Sequence, residues 1–471
     1  MRHFDLCVIG SGPGGQKAAI QAAKLGRRVC VVEKEAIGGV SVNTGTIPSK
    51  ALREVILHVG GYASVAPRVK EFESAGREAT LQTLWSAYQA VIRNEITIVA
   101  EQLERNRIEL VTGLGRFRDP HTLDVTHNDS VETVTADYFV IAVGSRPARP
   151  ANVPFDGRTI ITSDEIFRLG YLPRSMIIVG GGVIGTEYAS MVSALGVRMT
   201  LIEGRPRLLD FVDAEIIEAL QYHLRQSGLT LRMGEHVVRI TTIAAPAGAH
   251  TATGSQAEVT LESGKTLHAD CLMYCVGRQG ATSELNLQAV GLEADARGRL
   301  AVNESFQTAV PHLYAVGDVI GFPALASTSM EQGRVAACNM FGAACDRMAK
   351  LLPYGIYSIP EISVVGRSEE ELTRDGVPYE TGVAQYREIA RGQLLGDEIG
   401  MLKLLIRPDT HAVLGVHAIG TGATELIHIG QAAIAFGGTA EYFVDAVFNY
   451  PTLAECYRVA ALNGLNKLLN Q

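Results

Sequence analysis

The chain has 471 residues, 47% hydrophobic and 20% charged, a size and balance that fit about three globular domains of about 150 residues. Its net charge of −8 is dispersed, with no basic stripe to meet nucleic acid or an anionic membrane. No run approaches the roughly 18 apolar residues of a bilayer span, so a cytoplasmic protein without membrane or nucleic-acid partners is expected.

The opening residues, Met1 to Gly10, hold a short apolar run without a cleavage signal. A strand over Phe4–Ile9 enters Gly10-Ser11-Gly12-Pro13-Gly14-Gly15, then an alanine-rich helix to Leu25 and a strand over Arg28–Glu33. A long amphipathic helix is predicted from about Leu81 to Arg105, then β-rich sequence over Ile108–Val125. The strand Tyr138–Val143 ends in Gly144-Ser145-Arg146-Pro147, and the proline-spaced run Pro147–Pro154 reads as a linker. The strand–glycine loop–helix unit then recurs: Met176–Val179, Gly180-Gly181-Gly182-Val183-Ile184-Gly185, a helix to Leu195, and Val197–Glu203. Short strands with a hairpin tip near Ala244–Ser255 precede the strand Cys271–Val276, which closes on Gly277-Arg278. The apolar run Leu313–Asp318 leads to a helix over Ser327–Phe341. The remainder reads as α+β: strands around Glu361–Val365, Gly400–Arg407 and Val413–Ile419, helices near Thr424–Ala435 and Leu453–Leu469.

A single Gly-x-Gly-x-x-Gly arises by chance, or serves only the packing of an α/β core. Here both copies follow a strand and open a helix, where glycines let the backbone approach a pyrophosphate. Each is followed 18 residues later by a glutamate, Glu33 after Gly15 and Glu203 after Gly185, about where an acid bonds a ribose 2′-OH. The pair implies two bound dinucleotides. Beyond Glu203, Arg205 and Arg207 are either solvated loop charges or partners for the 2′-phosphate of NADP, which Glu203 alone would repel. Seven scattered cysteines, mostly inside apolar runs, read as small hydrophobes. Neither a metal site nor a structural disulfide is expected, and Cys271 and Cys275 would stand roughly 13 Å apart in a strand.

The segment Gly38-Gly39-Val40-Ser41-Val42-Asn43-Thr44-Gly45-Thr46-Ile47-Pro48-Ser49-Lys50 resembles flavoprotein disulfide reductases such as dihydrolipoyl dehydrogenase and glutathione reductase. Their pattern is Gly-Gly-x-Cys, four residues, then Cys-Ile-Pro-Ser-Lys. Ser41 and Thr46 stand at the two cysteine positions, and a hydroxyl cannot cycle through a disulfide. Tyr450 stands where the family's His-Pro-Thr motif carries its acid/base histidine, while the orienting Glu455 remains. A phenol with pKa near 10 is a poor base at neutral pH. The thiol relay and its proton handler are therefore missing together. Tyr450 fills the old substrate channel or covers the flavin from a partner chain.

The resemblance covers the whole chain and implies two Rossmann-like domains plus a C-terminal α+β dimerisation domain. The expected bounds are 1–148 and 278–346 for the FAD domain, 149–277 for the NAD(P) domain and 347–471 for the last. On the FAD side the resemblance marks Gly10, Gly12, Gly15, Glu33, Lys34, Gly39, Ser41, Thr46, Lys50, Gly115, Ser145, Asp318 (in Tyr314-Ala315-Val316-Gly317-Asp318) and Ala326. It further marks as cofactor-binding Gly180, Gly182, Val183, Ile184, Gly185, Glu203, Arg205, Val237, Gly277 and Arg278. Catalytic roles fall to Lys50, paired in relatives with Glu187, and to Tyr450 and Glu455.

Within the family the segments 44–53, 317–323 and 448–452 look closest to the soluble pyridine nucleotide transhydrogenase branch. That implies ping-pong hydride transfer from NADPH to NAD⁺ through FAD, in a homodimer or larger assembly. An NAD(P)H:quinone or dye reductase and a non-enzymatic flavin scaffold remain alternatives. Retention of Lys50, Glu187 and Asp318 argues against the scaffold.

Overall fold

The computed structural model describes residues 2–59, 77–246, 251–344 and 348–469. Cys345 and the expected boundary at 346/347 lie outside them, as does part of the hairpin tip. The chain divides into two compact units, one of 1–52, 85–148 and 277–349, the other of 53–84, 149–276 and 350–471.

In the first unit a seven-stranded sheet is built around Arg2–Ile9, flanked in parallel by Val29–Glu33 and Ser130–Ile141. The helix Pro13–Lys24 connects Arg2–Ile9 to the parallel Val29–Glu33, giving the β–α–β crossover expected of a glycine-loop unit. Its alanines (Ala18, Ala19, Ala22) are fully buried. They let it lie close against the helix Ala326–Met340, where a Cβ on Gly333 would stand 2.0 Å from the Gly14 carbonyl oxygen. The strand Leu313–Ala315 joins the sheet beside Ser130–Ile141 and delivers Gly317 and Asp318 at its carboxyl end.

The second unit holds a five-stranded, all-parallel sheet centred on Ser175–Val179, with Arg198–Glu203 on one side and Cys271–Tyr274 on the other. Its three central strands are buried almost throughout, as parallel strands covered on both faces must be. A three-stranded antiparallel meander over Val237–Ala269 packs on it through Ile240, Val259 and Leu261. The C-terminal part is a five-stranded antiparallel sheet covered by the helices Ala423–Ala435 and Glu455–Leu469.

Most predicted elements fall within a residue or two of those observed. One strand, Ser130–Ile141, starts eight residues before the expected Tyr138, because its first half is largely polar and exposed and pairs with Thr122–His127. The long helix starts at Arg77 rather than Leu81. The strand Cys271–Tyr274 stops short of Cys275, so that residue lies just past the strand end.

Candidate functional site

The two glycine loops have the same local geometry. Gly10 and Gly180 turn with φ of +102° and +107°, a region open to glycine but costly for other residues. A Cβ on Gly15 would meet the Gly10 oxygen at 2.0 Å, and one on Gly185 would meet the Gly180 oxygen at 1.8 Å. These third glycines let each helix start directly under its strand. By contrast, a Cβ on Gly12 or Gly182 would meet nothing within 4 Å. Neither residue, each the N-cap of its helix, has a side chain to satisfy the first-turn amides. Val183 and Ile184 supply the first two amides of the second helix. Each loop is thus a cradle of backbone donors facing open space, which fits a dinucleotide pyrophosphate.

The two acids are also equivalent. Glu33 accepts from the Ser11 backbone N–H at 2.9 Å and from the Glu35 N–H at 3.0 Å. Glu203 accepts from the Gly181 N–H at 2.6 Å and the Arg205 N–H at 2.9 Å. The cations just beyond the two acids behave differently. Lys34 turns away to Glu284 at 3.2 Å, whereas the Arg205 guanidinium folds back on Glu203, with Nε and Nη2 each at 3.0 Å. Arg205 also donates to Asp210 at 2.5 Å. Burial alone would raise the Glu203 pKa; the hydrogen bonds from Arg205 and Gly181 outweigh it and hold the carboxyl below its usual range. Arg205 is correspondingly raised, chiefly by its bond to Glu203.

Arg207 does not share that place. It donates to Glu370 at 3.0 Å and to the Asp210 carbonyl at 3.2 Å. The expectation that treated the two arginines alike therefore needs refining: only Arg205 lies on Glu203.

On the FAD side, Ser145, Arg278 and Asp318 form one chain. Arg278 Nε donates to Ser145 Oγ at 2.8 Å, and that hydroxyl donates to Asp318 Oδ2 at 2.6 Å. Antiparallel pairing of Arg278–Gly280 with Ser145–Pro147 sets the register, and Gly277 precedes it with φ +89°. Gly277 and Arg278 both lie in the first unit, with Arg278 joined to Asp318 through Ser145. Ser145 engages only one of the two Asp318 carboxylate oxygens. Gly317 is fixed by its N–H on Gln332 at 2.8 Å. The helix beginning at Ala326 has no side-chain cap either, leaving first-turn amides for an anion.

Gly39 turns with φ +59° and approaches Gly12; a Cβ there would lie 3.1 Å from the Gly12 Cα. Ser41 lies in the short helix Gly39–Asn43, and the exposed Thr46 opens the helix Thr46–Val59. Lys50, one turn into that helix, donates to Ser49 Oγ at 3.2 Å. Gly115 is buried inside a strand, where a Cβ would crowd Leu123 at 3.0 Å, so its evident service is packing. Val237 starts the meander and packs on its core, and the neighbouring His236 ring fills the space a Gly204 side chain would need.

In the second unit, Glu187 is 3% exposed and accepts from the Tyr357 N–H at 2.8 Å. Ser190, one turn on, accepts from the Ile359 N–H at 3.0 Å. Tyr357 and Ile359 thereby brace the helix Val183–Ala194, a role without a sequence signal. Tyr450 is 73% exposed in the single chain, and Glu455 begins the last helix with one buried oxygen that has no hydrogen-bond partner among the described residues. No disulfide joins the six described cysteines, and none of them stands at position 41 or 46. Among the described residues one carboxylate group, Asp213, Glu215 and Glu369, is close enough to hold a cation, and the Lys403 ammonium already sits among them.

A family model described as pyridine nucleotide-disulphide oxidoreductase matches residues 4–333, and that family's dimerisation domain matches 352–461. The chain is 52% identical to a soluble pyridine nucleotide transhydrogenase of Mycobacterium tuberculosis, covering 100% of this chain and 99% of that one. Identity is 48% to a protein of the same name from Vibrio vulnificus, covering 99% of both. Among solved structures, the fold is similar to the flavoprotein disulfide reductase RclA of Escherichia coli in its Cu(II) complex (TM-score 0.85, 24% identity, 98% and 99% covered). LpdA of Mycobacterium tuberculosis gives the same score, identity and coverage. The chain belongs to the pyridine nucleotide-disulphide oxidoreductase family.

Proposed function

We propose that this chain is an FAD-dependent soluble transhydrogenase, transferring hydride from NADPH to NAD⁺ in two half-reactions without a redox disulfide. The observation that carries the reading is the pair of equivalent dinucleotide cradles on a chain with hydroxyls at positions 41 and 46. Full-length relatives at 48–52% identity that bear the transhydrogenase name support it. When bound, FAD supplies a two-electron store at ring N5, able to take hydride from one nicotinamide and return it to another.

The residues then have separate tasks. The Gly12 cradle and Glu33 hold the FAD pyrophosphate and adenosine ribose. Asp318, oriented by Ser145 and Arg278, would accept from the ribityl hydroxyls of a bound FAD, and the helix starting at Ala326 would favour negative charge near its N-terminus. The second cradle holds either coenzyme. For NAD(H), Glu203 accepts from the free 2′-OH; for NADP(H), the 2′-phosphate takes over the Arg205 fork from Glu203. Lys50, in the first unit, and Glu187, in the second, would each contribute a charge to hydride transfer. The two nicotinamide couples lie close in potential, so positioning rather than driving force is what the protein contributes.

A cytoplasmic homodimer is part of the same proposal. The exposed apolar side chains Phe436, Tyr442, Val447 and Tyr450 all lie within 436–450, in the part matched by the dimerisation domain. Initial-rate kinetics with NADPH and NAD⁺ test the reaction. Parallel double-reciprocal lines with NADH as product are expected; no NADH formation, with rapid reduction of a quinone instead, would overturn it.

A further inference from the structure

The segment between Glu203 and the helix Ala214–Gln226 is held rigidly. Leu208 and Leu209 are fully buried, Leu209 has a left-handed backbone (φ +46°), and the Leu208 N–H donates to Gln221 at 3.1 Å. Any change in which charges face a nucleotide here must come from side chains, not from loop movement. The segment's far end is tied to the C-terminal sheet. Lys403, with 0% exposure, binds Asp213 at 3.0 and 3.1 Å, Glu215 at 2.9 Å, and Glu369. Asp213 caps the helix Ala214–Gln226, while Glu369 opens the helix Glu369–Arg374, itself closed by the Ser368–Glu371 capping box. With Glu369 fixed on Lys403, the next residue, Glu370, is brought against Arg207 Nη1 at 3.0 Å and the Ala214 N–H at 3.1 Å, both on one carboxylate oxygen. Burial would raise the Glu370 pKa, but its own backbone N–H, Arg207 and Ser368 hold it low and charged at neutral pH.

Arg207 is therefore a second cation two residues from Arg205 that is occupied by a carboxylate from another part of the chain. The side chains of Arg207 and Glu370 are 31% and 39% exposed, so the pair is solvent-screened and weak enough to exchange. We propose that Glu370 is a specificity-determining residue: by occupying Arg207 it withholds that arginine from the 2′-phosphate of NADP(H), leaving Arg205 as the exchanging cation. The coenzyme balance of the nucleotide loop is then set by the C-terminal domain, with Lys403 positioning Glu370 through Glu369. This rests on the reading of Glu203 and Arg205 as the adenosine-ribose end of the nicotinamide coenzyme site. It accounts for one site serving both coenzymes, since Arg205, held on Glu203, is balanced by that acid, whereas two exchanging arginines would favour the phosphate.

The test is calorimetric binding of 2′-phospho-ADP-ribose and ADP-ribose to the FAD-loaded protein, comparing wild type, Glu370→Gln, and Glu370→Gln combined with Arg207→Ala. Glutamine keeps one acceptor oxygen for the Ala214 N–H, replaces the other by an NH2 group, and removes the negative charge that holds Arg207. The single variant is expected to bind 2′-phospho-ADP-ribose about fivefold or more tightly. ADP-ribose should change by less than about twofold, and the gain should vanish in the double variant. A purely structural role would move both fragments together. Unchanged 2′-phospho-ADP-ribose affinity in Glu370→Gln, or a gain that survives loss of Arg207, would overturn the proposal. Wild-type turnover of NADPH with NAD⁺ is measured alongside. Its absence with the fragment response intact would refute the transhydrogenase reading and leave this inference standing.

Discussion

Replacing Gly333 by alanine should loosen FAD while leaving the second unit intact. An added Cβ would stand 2.0 Å from the Gly14 oxygen and 2.9 Å from the Ala18 nitrogen. Both are backbone atoms of the helix Pro13–Lys24, so no side chain can rotate out of the way. Ordinary carbon–oxygen contact near 3.4 Å requires the two helices to separate by about 1.4 Å, an overpacking that costs about 1–3 kcal/mol. Better helix propensity returns only about 0.5–1 kcal/mol. The displaced helix is the one whose first-turn amides form the cradle proposed for FAD, and its start is already packed close to Gly10, whose oxygen a Cβ on Gly15 would meet at 2.0 Å. The strain therefore falls on the cradle. The assay is the flavin-to-protein absorbance ratio after gel filtration, with melting followed by flavin release. Gly26→Ala is the control: its φ of +77° is strained, but a Cβ there meets nothing within 4 Å, so FAD should stay. Full flavin retention and unchanged melting in Gly333→Ala would refute this account of how the cradle is positioned.

Arg205→Ala should weaken NADPH about 10-fold or more with a smaller effect on NADH, and Glu203→Ala the reverse; equal effects on both coenzymes in steady-state kinetics would count against the exchange. Glu203 also gives a pH signature. Its folded pKa is depressed, so its stabilising contribution is present above the ordinary glutamate value near 4.3 and is lost as pH falls through the lower folded value. Glu203→Gln should flatten the acid limb of the stability profile in that window, and an unaltered limb would refute the ion pair. Tyr450→Ala should remain oligomeric by light scattering while its reduced flavin reacts faster with quinones or oxygen; an unchanged rate would reduce Tyr450 to packing. Lipoamide and glutathione disulfide should not be turned over, and turnover at rates typical of disulfide reductases would show that Ser41 and Thr46 were misread.

Much of the fold was legible because its signals are local. An apolar strand, a glycine loop and an alanine-rich helix specify each dinucleotide unit within some 30 residues, and Val413–Ile419 matches its predicted bounds. Short elements of the C-terminal part escaped: Glu369–Arg374, Ala390–Leu395 and Ala440–Asp445 are too brief for helical periodicity, and Glu380–Gln385 is a mixed polar edge strand. The site divides the same way. Glycines and acids announce themselves by spacing, so both cradles could be located from sequence. The partition of Arg205 to Glu203 and Arg207 to Glu370 could not, because 163 residues separate the latter pair. Lys403 carried no signal at all; a lysine in an otherwise apolar strand reads as an edge residue until Asp213, 190 positions away, is seen beside it.

The central claim is that electrons pass between coenzymes without sulfur. A single-turnover experiment addresses it directly: FAD-loaded protein, pretreated with a thiol-alkylating reagent, is mixed anaerobically with one equivalent of NADPH and then with NAD⁺. The account predicts that the flavin's visible absorbance falls with NADPH and returns with NAD⁺, yielding NADH in equal amount whether or not the cysteines are blocked. Loss of the second phase on alkylation, or a reduced flavin that NAD⁺ cannot reoxidise, would contradict it.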